Sequence, residues 1–84
     1  MITAEITEED TKDFHDLVSK NVRRIRQEKG LTQLDVSLQL GFNNPSFVTN
    51  AESLNSDKKF NLTQLHKLSK VFDINICEFF NDIK

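Results

Sequence analysis

TQLDVSLQLGFNNPSFVTNAE, residues 32–52, decides the fold. Thr32 stands where a helix cap belongs, and Asp35, three residues on, can return the second bond of a capping box. Val36, Ser37 and Leu40 then fall on one helical face. Gly41 follows directly, and a residue that adopts positive φ freely stops a helix at little cost. Asn43 or Asn44 is placed to cap a second helix. Pro45 suits the first turn of that helix, where a missing N–H loses no bond. Val48 and Ala51 point inward from it, which leaves Ser46, Phe47, Thr49, Asn50 and Ser53 to point outward.

Upstream of this stretch, Thr7 followed by Glu8, Glu9 and Asp10 reads as a helix start, because acids in a first turn complement the helix dipole. Phe14, Leu17, Val18, Val22 and Ile25 recur at spacings of three and four, so the pattern predicts one amphipathic helix over about residues 8–28. Lys29-Gly30 ends it. Residues 1–6 alternate at Ile2, Ala4 and Ile6, a pattern shared by a short strand and a frayed tail; we read a flexible tail. Downstream, residues 54–59 (LNSDKK) form a polar connection. Asn61 then caps a helix whose buried stripe is Leu62, Leu65, Leu68, Ser69 and Phe72. Asp73 tolerates the left-handed conformation that ends a helix. A short last helix is expected over residues 76–82. Adjacent Phe79 and Phe80 cannot face one direction on it, so one joins the core and the other is free for a partner. The expected architecture is all-α, five helices in a single domain over residues 7–84.

Eighty-four residues make one small domain with a modest core, a size often completed by dimerisation. Two Gly and one Pro favour helices over many-turned β structure. No apolar run approaches the ~20 residues needed to span a bilayer, and the opening residues do not read as a signal peptide. One cysteine, Cys77, closes no internal disulfide and makes no structural zinc site, so a reducing cytoplasm is the expected setting. Cys77 lies in the apolar pattern of the last helix and is expected in the core. His15 and His66 are not at metal-ligand spacing, and neither a phosphate-cradling Gly loop nor a catalytic constellation is present. The expectation is therefore a non-enzyme with no cofactor and no metal. The net charge of −2 conceals an uneven distribution. Residues 1–16 hold six acids against Lys12, a formal −5; residues 17–84 hold ten Lys and Arg against seven Asp and Glu, a formal +3.

A helix, a turn with Gly and a helix with an uncharged polar outer face is the layout of a helix-turn-helix reader of the major groove. VRRIRQEKGLTQLDVSLQLGF (residues 22–42) and SFVTNAE (residues 46–52) resemble the Xre-type, lambda-repressor-like DNA-binding domain. The landmarks are Ile25-Arg26, Lys29-Gly30-Leu31-Thr32-Gln33, Leu40-Gly41, Val48-Thr49 and Glu52. Residues 62–80 fit the last two helices of that domain, so the resemblance spans about residues 20–80, with residues 7–18 as an extension of its first helix.

The resemblance implies a sequence-specific, double-stranded-DNA-binding transcriptional regulator, a repressor in the simplest case, acting as a homodimer on an inverted repeat. It implies that Gln33 touches a phosphate through its side chain or its backbone N–H. Asn44, Ser46 and Asn50 would read base edges, and Asn suits adenine. Phe47 would contact a thymine methyl or a sugar, or else belong to the core. Thr49 and Ser53 would meet the DNA backbone, with Lys58 and Lys59 neutralising phosphates. Arg26 and Glu52 would form a partly buried ion pair. The last helix, with Phe79, Phe80 and Ile83, is the first choice for the dimer seam, and the N-terminal helix the second. Two features depart from the family pattern. Asn43-Asn44-Pro45 makes the turn one residue longer, which shifts the register of base contacts. Leu34 and Leu38 occupy positions that are usually polar, one turn apart, and call for a cover: Phe14 and Leu17, or a partner subunit. The rival expectation is a protein-interaction module of the same fold without DNA binding, such as an antitoxin acting on a protein partner. The acidic N-terminus and the absence of Arg from the reading helix speak for it.

Overall fold

The computed structural model describes residues 4–54 and 56–82, and the chain is all-α. Among the described residues there are four α-helices, α1 (Glu8–Glu28), α2 (Gln33–Gln39), α3 (Ser46–Glu52) and α4 (Leu62–Phe72), followed by a 3₁₀ helix (Ile76–Phe80), and no strand. No described helix is long and apolar enough to cross a membrane.

Each boundary follows from local chemistry. The Thr7 hydroxyl accepts from the Asp10 N–H (3.0 Å) and the Asp10 carboxylate accepts from the Thr7 N–H (3.1 Å), closing a capping box on α1. Thr32 and Asp35 do the same for α2, at 3.0 and 2.8 Å. The backbone N–H and hydroxyl of Thr32 hold the Asp35 carboxyl below the usual carboxylate range. Asn61 and Gln64 close a third box on α4. Helix ends are equally specific. Gly30 and Gly41 take positive φ (71° and 93°), and Asp73 ends α4 in the left-handed region at φ 54°.

The expected fifth α-helix is instead a five-residue 3₁₀ helix. The Asn75 side chain accepts from the Cys77 N–H at 2.9 Å, and the Glu78 N–H reaches back only three residues to the Asn75 carbonyl. Asn81 already has extended backbone, so the segment is too short to set up α-helical bonds.

The core gathers Val18, Val22 and Ile25 from α1, Val36 and Leu40 from the α2 region, Val48 and Ala51 from α3, Phe60, and Leu65, Leu68, Phe72 and Phe79 from the C-terminal third. The Phe72 and Phe79 rings meet edge to face at 6.0 Å. Two buried polar residues of α1 fix its neighbours. Ser19 donates to the Ala51 carbonyl (2.8 Å), and Asn21 donates to the carbonyls of Phe79 (2.9 Å) and Asn81 (3.1 Å).

α2 packs against α3, and Ser37 on α2 is fully buried with a hydroxyl that has no hydrogen-bond partner. A desolvated, unbonded hydroxyl opposes folding, and removing it leaves a methyl in an apolar site. Ser37→Ala is therefore expected to raise the free energy of unfolding by about 1 kcal/mol in a urea titration, and a loss of stability would contradict the unbonded state.

Candidate functional site

α3 has seven residues, two turns that cannot hold themselves together in water. Its rear face supplies the stability. Val48 and Ala51 are completely buried and Glu52 nearly so (5 % exposed). The Asn44 side chain accepts from the Ser46 N–H at 3.0 Å, which satisfies a donor at the helix start, while Pro45 occupies the cap position.

The brace behind α3 is polar as well as apolar. The Arg26 guanidinium, 7 % exposed, donates from Nε to Glu52 Oε2 (2.7 Å) and from Nη2 to Glu52 Oε1 (2.9 Å), a bidentate pair. Its Nη1 donates to the Leu31 carbonyl at 2.8 Å, at the entrance to α2. Gln33 Nε2 donates to Glu52 Oε1 (3.0 Å), and Gln33 Oε1 accepts from the Thr49 hydroxyl (2.7 Å). One chain of hydrogen bonds, Arg26–Glu52–Gln33–Thr49, thus ties α1, α2 and α3 together. The fork of Arg and the twofold use of the Gln amide fix the roll of α3 about its own axis as well as its distance.

Against this geometry the residues singled out in the sequence separate into groups. Ser46, Asn50 and Ser53 are exposed on the outer side of α3. Thr49 is exposed but its hydroxyl is held by Gln33. Both ends of the Gln33 amide are engaged inside the protein, which leaves its backbone N–H as the group for an anion. Both ends of the Asn44 amide are also used, toward Ser46 and toward Asn43 (3.0 Å). Phe47 does not project from α3. It stacks on Phe42 (centroids 4.8 Å apart) and meets Phe60 edge-on (5.9 Å), because a phenyl ring beside two others gains more from burial than from water. Lys59 turns its ammonium back to the Ser56 carbonyl at 2.8 Å, while Lys58 is exposed.

Two further expectations are corrected, and one of the two covers expected for Leu34 and Leu38 is withdrawn. Phe79 is completely buried in its own protomer and so is unavailable to a dimer seam. Phe80 is half-buried and stacks on Phe14 at 6.3 Å; Ile83 lies outside the described residues. Cys77 is exposed rather than in the core, since the tighter 3₁₀ winding rotates it away from Phe79. Leu34 and Leu38 remain 43 % and 54 % exposed: Phe14 packs on Phe80 instead of reaching them.

Sequence reading passed over Ser19 and Asn21, the two polar anchors of α1. Their signal was present, since both neighbour the buried stripe of Val18, Val22 and Ile25. Among the described residues no group of three or more His, Cys, Asp or Glu is disposed to hold a metal ion. Comparison with protein-family models, with curated proteins and with solved structures gives no match.

Proposed function

We propose that α2 and α3 work as a lambda-repressor-like helix-turn-helix and that the chain is a sequence-specific transcriptional regulator of double-stranded DNA, acting in the cytoplasm as a homodimer. The observation that carries this reading is the α3 outer face: Ser46, Asn50 and Ser53 stand in solvent, uncharged, on a helix whose roll is fixed from behind by Arg26, Glu52 and Gln33. A rigid two-turn helix with short hydrogen-bonding side chains fits the depth of the major groove, and an Asn amide matches the adenine edge in both donor and acceptor. Asn50 takes the base-reading role, with Ser46 beside it. Thr49 and Gln33 position the helix, and Ser53 lies at its end for a backbone oxygen. One protomer covers only a few base pairs. Specificity then comes from two protomers on an inverted repeat, with their α3 helices about 34 Å apart. Occupancy of the site excludes or recruits polymerase.

Selection of bound duplexes from a random DNA pool, followed by an electrophoretic shift on the winner, tests the reading. Asn50→Ala is expected to weaken binding to the selected sequence by about 1–3 kcal/mol with helicity unchanged, and unaltered affinity would remove Asn50 from the site.

A second reading rests on Leu34 and Leu38, two exposed leucines on successive turns of α2. Such a pair suits a protein partner, as in an antitoxin-like interaction module. Affinity for every duplex at the non-specific level, ~10⁻⁴ to 10⁻⁶ M at physiological salt, would favour it over DNA reading.

A further inference from the structure

The side-chain amides of the turn before α3 take their polarity from the backbone. The Ser46 N–H can only donate, so the Asn44 atom facing it at 3.0 Å is the carbonyl oxygen. Asn44 must then turn its NH₂ the other way, where it meets the Asn43 side chain at 3.0 Å. A donor arriving there fixes Asn43 in the same manner. The Asn43 oxygen faces Asn44, and its own NH₂ faces away. Every dipole in the relay Ser46–Asn44–Asn43 thus follows from one backbone N–H.

Asn43 is exposed, and among the described residues no group accepts from its Nδ2. An unengaged Asn offers a donor and an acceptor side by side. This one has its oxygen occupied and presents N–H donors to solvent. It is also held in place, since two hydrogen bonds link it to Ser46, the first residue of α3. The neighbouring groups are spent. Pro45 has no N–H, the Ser46 N–H is capped, and Asn44 is used at both ends. Such a relay needs two consecutive Asn ahead of the helix, which the longer turn Asn43-Asn44-Pro45 supplies.

We propose that Asn43, in place of Asn44, is the turn residue that contacts DNA, donating through Nδ2 to an acceptor of the duplex, a phosphate oxygen or a purine N7 in the major groove. Asn44 is the positioning residue behind it. The assignment rests on the DNA-reading proposal and adds a contact of different polarity. Asn50 can give an adenine edge both a donor and an acceptor, whereas Asn43 gives donors alone and is mismatched with the amino groups of adenine and cytosine.

Electrophoretic shifts of the full chain on the selected duplex test it. Asn43→Ala is expected to raise the dissociation constant about tenfold with helicity and melting unchanged, because the side chain removed is exposed. Asn43→Asp keeps an oxygen for Asn44 but has no donor and carries a negative charge toward the phosphates, and is expected to bind more weakly still. Duplexes altered at single atoms identify the acceptor: a methylphosphonate removes a phosphate oxygen and a 7-deazapurine removes N7. One such change is expected to weaken binding of the parent about tenfold and to leave binding of Asn43→Ala as it was. If that change is a methylphosphonate the contact is to the backbone, and if it is a 7-deazapurine the contact is to a base. Asn43→Ala or Asn43→Asp binding as tightly as the parent, or a parent loss that Asn43→Ala shares in full at every altered atom, would overturn the assignment. Loss of affinity in Asn50→Ala beside an unaffected Asn43→Ala would overturn it alone and leave the DNA reading standing. A parent that binds every duplex only at the non-specific level would overturn both.

Discussion

Glu52→Ala is expected to lower the free energy of unfolding by about 3–5 kcal/mol, most of what a domain of this size possesses. The carboxylate removed is 5 % exposed and accepts three hydrogen bonds, two from Arg26 and one from Gln33. Truncation leaves the Arg26 guanidinium buried with its charge uncompensated, and desolvation of that charge dominates the loss. The Gln33 amide loses a partner as well, which frees the roll of α3. Urea denaturation followed by circular dichroism measures the effect. The control is Arg26→Met/Glu52→Leu, in which apolar side chains of similar volume replace the pair. It is expected to recover most of the stability, because the attraction within the pair barely exceeds the expense of taking both charges out of water. A Glu52→Ala variant that unfolds within about 1 kcal/mol of the parent would mean that the pair is solvated, as exposed ion pairs are.

Phe79→Ala is expected to be as severe, about 3–5 kcal/mol, through a cavity in the core. The Phe79 ring is completely enclosed and meets Phe72 edge-on, and Asn21 holds its carbonyl from the other side. A short 3₁₀ segment has little bonding of its own to retain it once that ring is gone. The loss should therefore appear in the denaturation midpoint and in near-ultraviolet signals of the remaining phenylalanines together. A change below about 1.5 kcal/mol would place Phe79 at the surface after all.

Helices α1, α2 and α4 were legible because their signals are local. A Thr or Asn followed three residues later by Asp or Gln closes a capping box whatever the rest of the chain does, and Gly or Asp at the end turns left-handed on its own account. The inward faces of α2 and α3 were legible for the same reason: period and side-chain size sort Val36, Leu40, Val48 and Ala51 from Ser46 and Asn50. Where periodicity is shared between neighbours it failed. Phe79 and Phe80 are adjacent and equally apolar, and only the approach of α1 and α4 decided that the first ring is enclosed and the second stacks on Phe14. Phe47 had an outward position by spacing, and Phe42 and Phe60, 5 residues before it and 13 after, drew it into an aromatic row.

The sequence by itself determined that the chain is helical, where most of its helices begin and end, and which face of each is apolar; caps and periodicity act over three or four residues and need no partner. Tertiary structure alone decided how the polar groups are spent. Gln33 looks free in the sequence, but both ends of its amide are bonded to Glu52 and Thr49 on α3, groups brought close only by folding, and an amide already bonded inside the protein is lost to a ligand. An apolar groove beside Phe14 is likewise a product of packing, since it exists only where residues from three separated segments meet.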